Sequence, residues 1–463
     1  MDKRAIVRLE IFMMSPYHNK HKNLQQLFAF IKDFYPSFDS PHFTEEQAFS
    51  FLFPKEKYKP NTITKLLSKL LKVVEKFLIT DDFLQKEDEN KIYLLQLYNN
   101  NSLSKLFRST LTELEKILDN TPVRNKHFYY LQYQLENEYA TYLSLNSDTR
   151  SEDIRFHELS QAFNKYYLFS KLKLLCLMYN RTQLINVQYD MILMDEILHI
   201  LDEGVYEDEQ GIQMMYKGLR LLMHADVEKY EVLYNLLQEH KNILSPEDYL
   251  IILTILENTV NKIFPKENLV RYEELFKLYQ NRIAANLHLN QYGYIIPAIL
   301  SNVVTVALLL GKYEWAENFV IAHKNNLDTS LSNEIYDLCL ANIYYNQENY
   351  DAARNILLTE RFTDVFAKMT VRRLLPKIYY DEKEMELLEA NINSSRVYIS
   401  RLDAIFDSYI QQNQVFYNNL QRLTKIFSSD KNAWKRFHQE LSQNPDTFDY
   451  FWFLQKFKLY TSS

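Results

Sequence analysis

The sequence predicts an all-α chain: an array of stacked helical hairpins, an α-solenoid, with a helical module before it and a helical cap after it. Three observations lead there. An aromatic residue followed three positions later by a small or apolar one recurs as Tyr189/Ile192, Tyr230/Leu233, Tyr272/Leu275, Tyr313/Ala316 and Tyr350/Ala353, and Met385/Leu388 continues the series. Successive copies are 41, 42, 41, 37 and 35 residues apart, the range of helical-hairpin repeats. Glycine occurs only 5 times, always between Gly204 and Gly311, whereas parallel α/β folds need it for tight turns and close backbone approach. Strand-type alternation never persists beyond a few residues.

The first 95 residues form the N-terminal helical module. Leu24, Leu27, Phe28 and Ile31 make a helical stripe from Asn23 to Phe34, which Pro36 ends. Thr44 with Gln47 predicts a capping box opening a short helix to Phe53, closed by Pro54. Asn61 to Ile79 is the third helix: Ile63, Leu66, Leu67, Leu70, Val74 and Phe77 line one face, and Lys65, Lys69, Lys72 and Lys76 another. The acidic stretch from Thr80 to Lys91 reads as a connection.

Residues 96–184 read as a linker region of long amphipathic helices: Ser102 to Leu118, Asn125 to Leu145 and Glu152 to Tyr179. The repeats occupy 185–395. Within them Asp202 to Gln210 is an acidic loop, and Ser245-Pro246 supplies an N-cap followed by proline at the first helical position. Phe264-Pro265 ends that helix. The apolar run Tyr294 to Leu310 carries Ser301, Asn302 and Thr305 and predicts a buried hairpin helix rather than a membrane span. The cap, 396–463, follows as Ser395 to Phe427, Asn432 to Leu441 and Phe448 to Tyr460.

Residues 298–358 resemble tetratricopeptide repeats. Leu310-Gly311, Tyr313 and Ala316 fit that family's Leu-Gly…Tyr…Ala pattern, and Tyr350 and Ala353 fit a second copy in which Glu348 stands in place of the glycine. The resemblance implies a right-handed superhelix of antiparallel helix pairs whose concave face binds peptides or partner proteins. Tyr189, Tyr230, Tyr272, Gly311, Tyr313, Ala316, Tyr350 and Ala353 are the expected repeat-packing residues.

Composition narrows the function. The formal charge of −7 is modest for 463 residues and argues against a bulk nucleic-acid or membrane binder. Cys176 and Cys339 sit in apolar helical stretches and read as small buried hydrophobes. With no disulfide framework the expected compartment is reducing, hence cytoplasmic. Arg8 and Glu10 interrupt any signal-like apolar run. Tyr (35) and Phe (29) are abundant, and helix–helix packing is the simpler use of those rings.

No Gly-rich phosphate loop, G-x-S-x-G elbow or C-x-x-C knuckle is present. His18 and His21 form an H-x-x-H pair in what reads as a polar terminus. Glu196 and His199 form one Glu-x-x-His, whereas di-iron bundles use two. Neither supports a metal site, so no cofactor and no enzymatic activity are expected. From Lys55 to Lys76, seven lysines face two acids, a local +5. The order helix, helix, basic helix resembles a helix-turn-helix or winged-helix core, and with repeats behind it looks like the layout of some bacterial transcriptional activators. A solvated face is the simpler reading, and no Arg or Asn cluster marks the helix for base edges. The chain therefore reads first as a protein–protein interaction scaffold and second as a nucleic-acid-binding regulator.

Overall fold

The computed structural model describes residues 2–146, 155–184, 187–328, 330–359, 362–402, 407–426, 431–444 and 447–461. It is 77% helix, and no strand forms among the described residues. An isolated antiparallel bridge joins Leu289 and Ile295. No described helix is long and apolar enough to cross a membrane.

The chain divides into two compact units, and the division falls inside a helix. One unit comprises Met1–Pro122 with Lys126–Tyr167. It contains α1 (Lys3–Met14), α2 (Lys22–Lys32), α3 (Glu45–Leu52), α4 (Pro60–Gln85), α5 (Glu87–Asn100), α6 (Ser104–Asn120), α7 (Lys126–Asn146) and the start of α8 (Phe156–Leu184). Leu9, Phe12 and Met13 of α1 join Leu27, Phe49, Ile63, Leu70 and Phe77 in one core. The first residues are thus a packed helix and not a polar terminus. Asp2 opens it, its carboxylate accepting from the Ala5 amide at 2.6 Å.

Thr44 caps α3 as expected, accepting from Gln47 N–H at 3.2 Å, while the Gln47 amide turns to His42 Nδ1 at 3.2 Å. The acidic stretch after Ile79 is helical rather than a connection. Asp81, still on α4, holds Arg8 through two bonds of 2.8 and 2.9 Å. Glu87, Asp88 and Glu89 fill the first turn of α5, where the helix dipole favours carboxylates. Only Lys86 separates the two helices.

The other unit comprises Val123–Asn125 with Leu168–Ser463. After α9 (Met194–Asp202) come five helix pairs: α10 (Gln210–Met223) with α11 (Val227–His240), α12 (Pro246–Ile263) with α13 (Leu269–Ala284), α14 (Pro297–Leu309) with α15 (Tyr313–Ala322), α16 (Ser330–Asn346) with α17 (Tyr350–Leu357), and α18 (Val365–Asp381) with α19 (Met385–Ile399). Then follow α20 (Asp407–Lys425), α21 (Lys431–Ser442) and α22 (Tyr450–Thr461). Each pair packs internally, and first helices also pack on one another: α10 on α12, α14 on α16, α16 on α18. Gly218 lets α10 approach α12, since a Cβ there would lie 3.2 Å from Ile255 Cδ1.

The helix expected from Ser395 to Phe427 is two helices. At Ser400 the hydroxyl donates to Val397 O at 2.9 Å, and Arg401 and Leu402 N–H reach back three residues instead of four, which winds α19 to a stop. Phe427 and Glu152, two expected helix ends, lie outside the described residues.

The last three pairs share one turn. Gly311, Glu348 and Lys383 are left-handed, with φ of 70°, 61° and 62°. In each turn two amides return to the preceding helix: Gly311 N to Leu308 O and Lys312 N to Ala307 O, Glu348 N to Tyr345 O and Asn349 N to Tyr344 O, Lys383 N to Tyr380 O and Glu384 N to Tyr379 O. These are Schellman closures, which satisfy the carbonyls a helix end leaves open. Glu348 therefore makes the glycine-type turn without glycine.

Candidate functional site

The fourth residue of the second helix is buried in all five pairs: Tyr230 (3% exposed), Tyr272 (8%), Ala316 (0%), Ala353 (0%) and Leu388 (0%). The repeated phrase consequently changes register. Tyr313 and Tyr350 are first in their helices, whereas Tyr230 and Tyr272 are fourth and stand where later pairs hold alanine or leucine. Tyr189 departs further: it lies in an irregular stretch before α9, and Ile192 is 61% exposed. There the spacing matched and the helix did not: α8 ends at Leu184, but the phrase itself falls in irregular chain ahead of α9.

The basic face is as drawn from the sequence. Lys65, Lys69, Lys72 and Lys76 all project from the exposed side of α4, opposite Ile63, Leu70 and Phe77. His18 stacks on Phe12, ring centroids 3.8 Å apart, so it is a packing residue of α1. On α9, Asp195 and Glu196 occupy the first turn and His199 the last. No group of three or more His, Cys, Asp or Glu side chains is assembled to hold a metal among the described residues. Cys176 and Cys339 are buried, and burial pushes each thiol up to about 12, so neither is a nucleophile.

One groove opens among the first helices of the later pairs. It encloses about 450 Å³ between α14, α16, α18 and the turn before α22. Ser301, Val304 and Thr305 face it from α14, and Ile335, Leu338 and Asn342 from α16. From α18 come Phe366, Thr370, Arg373 and Lys377, spaced so that a single helical face presents all four. The lining is thus the first helices of three successive pairs.

One end of the groove is occupied by the chain itself, through Phe448 and Asp449. Lys377 Nζ donates to Asp449 Oδ1 at 2.6 Å, and Arg373 Nε stands 3.6 Å from Oδ2. The Arg373 guanidinium lies over the Phe448 ring, 4.2 Å from its centroid. It is oriented from behind by Tyr409 Oη at 3.1 Å and by the buried Asn413 Oδ1 at 3.0 Å. Asp449 adopts φ 56°, a conformation that Asp tolerates better than most residues. The side chains of Arg373 and Lys377 are 12% and 9% exposed against 23% for Asp449. Two largely desolvated cations therefore converge on one carboxylate.

Beyond the turn, α22 continues the contact. Trp452 Nε1 donates to Tyr345 Oη at 2.5 Å, and Tyr345 donates to Asp381 Oδ2 at 2.6 Å. Burial first, and then the Asp381 carboxylate, hold the Tyr345 phenol well above its ordinary value. Lys456 pairs with Asp381 from the same helix. The i, i+4, i+7, i+11 spacing on α18 was available to sequence inspection as a signal. Its partner Asp449 was not, because the contact spans 72 residues.

Compared with family models, with curated proteins and with solved structures, the chain matches none.

Proposed function

We propose that the chain is a non-catalytic, cytoplasmic protein–protein interaction scaffold, a right-handed α-solenoid of tetratricopeptide-like hairpins that binds a partner protein or peptide along the first helices of its pairs. One observation carries this reading: the groove of α14, α16 and α18 already accommodates polypeptide, through an aromatic ring on Arg373 and a carboxylate on Lys377. Grooves that seat a side-chain anchor and a charged partner together are how peptides are recognised by helical scaffolds. No cofactor enters the reading. Placing a photo-crosslinking residue at Thr305 in the groove, and separately at the exposed Leu358, tests it in the native cell. A partner crosslinked from Thr305 and not from Leu358 supports it; equal labelling from both positions refutes it.

The second reading is a nucleic-acid-binding regulator that contacts phosphates through α4. Among the described residues, Lys65, Lys69, Lys72 and Lys76 have no carboxylate within ion-pair distance, while neighbouring Lys59 and Lys86 do. Changing all four to Gln should flatten the log–log salt dependence of duplex binding by about 0.9 for each lost phosphate contact. Absence of any duplex binding by the wild-type protein at physiological salt eliminates this reading.

A further inference from the structure

We infer that the groove recognises a peptide presenting an aromatic side chain next to a carboxylate, and that the chain's own Phe448–Asp449 turn holds this place until such a peptide displaces it. The inference rests on the interaction reading above and names the partner's chemistry.

The receptor half is built before any ligand arrives. Arg373 is fixed by Tyr409, Asn413 and Thr370, the last accepting at 3.3 Å, so its guanidinium plane is held ready for a ring. Lys377 stands over the Tyr345 ring at 5.1 Å, and among the described residues Asp449 is its one carboxylate within ion-pair distance. The remaining acid of the groove, Asp364, is engaged as the cap of α18 and accepts from the Ala367 amide at 3.0 Å. Once Asp449 leaves, two cations face one capping carboxylate among the described residues, so the site is then net cationic toward an incoming group. A cation shielded this far from water is left at a disadvantage when its carboxylate leaves, which favours replacement by another carboxylate over an empty site.

The occupying half is small. Only two residues enter, on a turn, and Asp449, 23% exposed, is the least shielded member of the ion pair. The open volume of about 450 Å³ is lined by Phe448 and Asp449 together with α14, α16 and α18, so an incoming peptide has room to engage beside the turn before replacing it. Occupation from within the same chain acts as a high effective concentration. An external peptide must compete with it, and its apparent affinity is lowered by the fraction of groove already filled.

The experiment uses the full chain and a fluorescein-labelled peptide carrying the sequence Thr447–Tyr450 between soluble flanks, followed by anisotropy. The control peptide has Ala for the Phe and Asn for the Asp. In the protein, Asp449→Asn removes the internal charge while keeping a residue that tolerates the left-handed turn. It should bind the peptide about tenfold more tightly than wild type, and Phe448→Ala should act in the same direction. Adding Lys377→Gln to Asp449→Asn should abolish binding, as should the control peptide. Circular dichroism melts establish that each variant is folded. Equal affinity of wild type and Asp449→Asn, no binding to either, or binding that survives Lys377→Gln overturns the inference. The crosslink from Thr305 decides the broader interaction reading separately, since it does not depend on the peptide motif.

Discussion

The Nε2 atoms of His288 and His323 lie 2.9 Å apart, and the surrounding atoms define which ring donates. His323 Nδ1 is 2.8 Å from the Phe319 carbonyl, so we assign its hydrogen there. His323 Nε2 then accepts, and His288 Nε2 donates. His288 Nδ1 is left bare and buried with no hydrogen-bond partner among the described residues, a position that takes a proton badly. Burial first, then His323 and Arg282, hold His288 below its ordinary value of 6.5.

That arrangement makes stability depend on pH in one direction. Below its ordinary value the unfolded chain protonates His288 before the folded chain does, so stability is complete above 6.5 and declines as pH falls. Thermal melts at about pH 7.5 and 5.5 should show a larger drop for wild type than for His288→Gln. An identical drop in both would place the acid sensitivity elsewhere.

The three shared turns predict opposite effects for adding and for removing a Cβ. At Gly311 a Cβ would meet nothing within 4 Å, so Gly311→Ala should cost about 1 kcal/mol through the left-handed backbone alone. Glu348→Gly and Lys383→Gly should raise stability, by somewhat less because glycine also widens the unfolded ensemble. Chemical denaturation of the three variants checks the pattern, and destabilisation by both glycine substitutions would disprove it.

Ala316 and Ala353 sit fully buried where the second helix of each pair meets its neighbours. Ala353→Leu should lower stability by about 1–3 kcal/mol through overpacking, with a clear fall in melting temperature. An unchanged melting temperature would mean the site has slack that the packing does not show.

Arg282 and Glu257 form a buried pair, with bonds of 2.9 and 2.7 Å between guanidinium and carboxylate. Arg282→Met should cost about 3–5 kcal/mol because it strands the acid. The double variant Arg282→Met with Glu257→Leu should recover most of that loss. Denaturation midpoints decide it, and a double variant no better than the single would show that the pair itself supplies the stability.

Much of the helical order was legible in the sequence, and particular residues show where legibility stopped. Ser245-Pro246, Thr44 and Gly311 carry local signals whose meaning does not depend on distant contacts, and each marks a helix boundary in the structure. Tyr230 and Tyr272 recur at the right distance but one turn deeper in their helices, because periodicity reports spacing and not the start of an element. The helix α1 was missed since Arg8 and Glu10 break its apolar run, and of that run only Leu9, Phe12 and Met13 are buried. Of the groove, the face of α18 was readable in principle. Asp449 was not, because nothing local distinguishes it from any other surface acid.

The distance along the chain between Lys377 and Asp449 also has a consequence in time. A ribosome adds about 5–20 residues per second, so several seconds separate the emergence of the cation from that of its own carboxylate. During that interval the first helices of the pairs can assemble with Arg373 and Lys377 unanswered. Each newly made molecule thus passes through a brief period in which Arg373 and Lys377 exist without the Phe448–Asp449 turn that meets them in the finished chain.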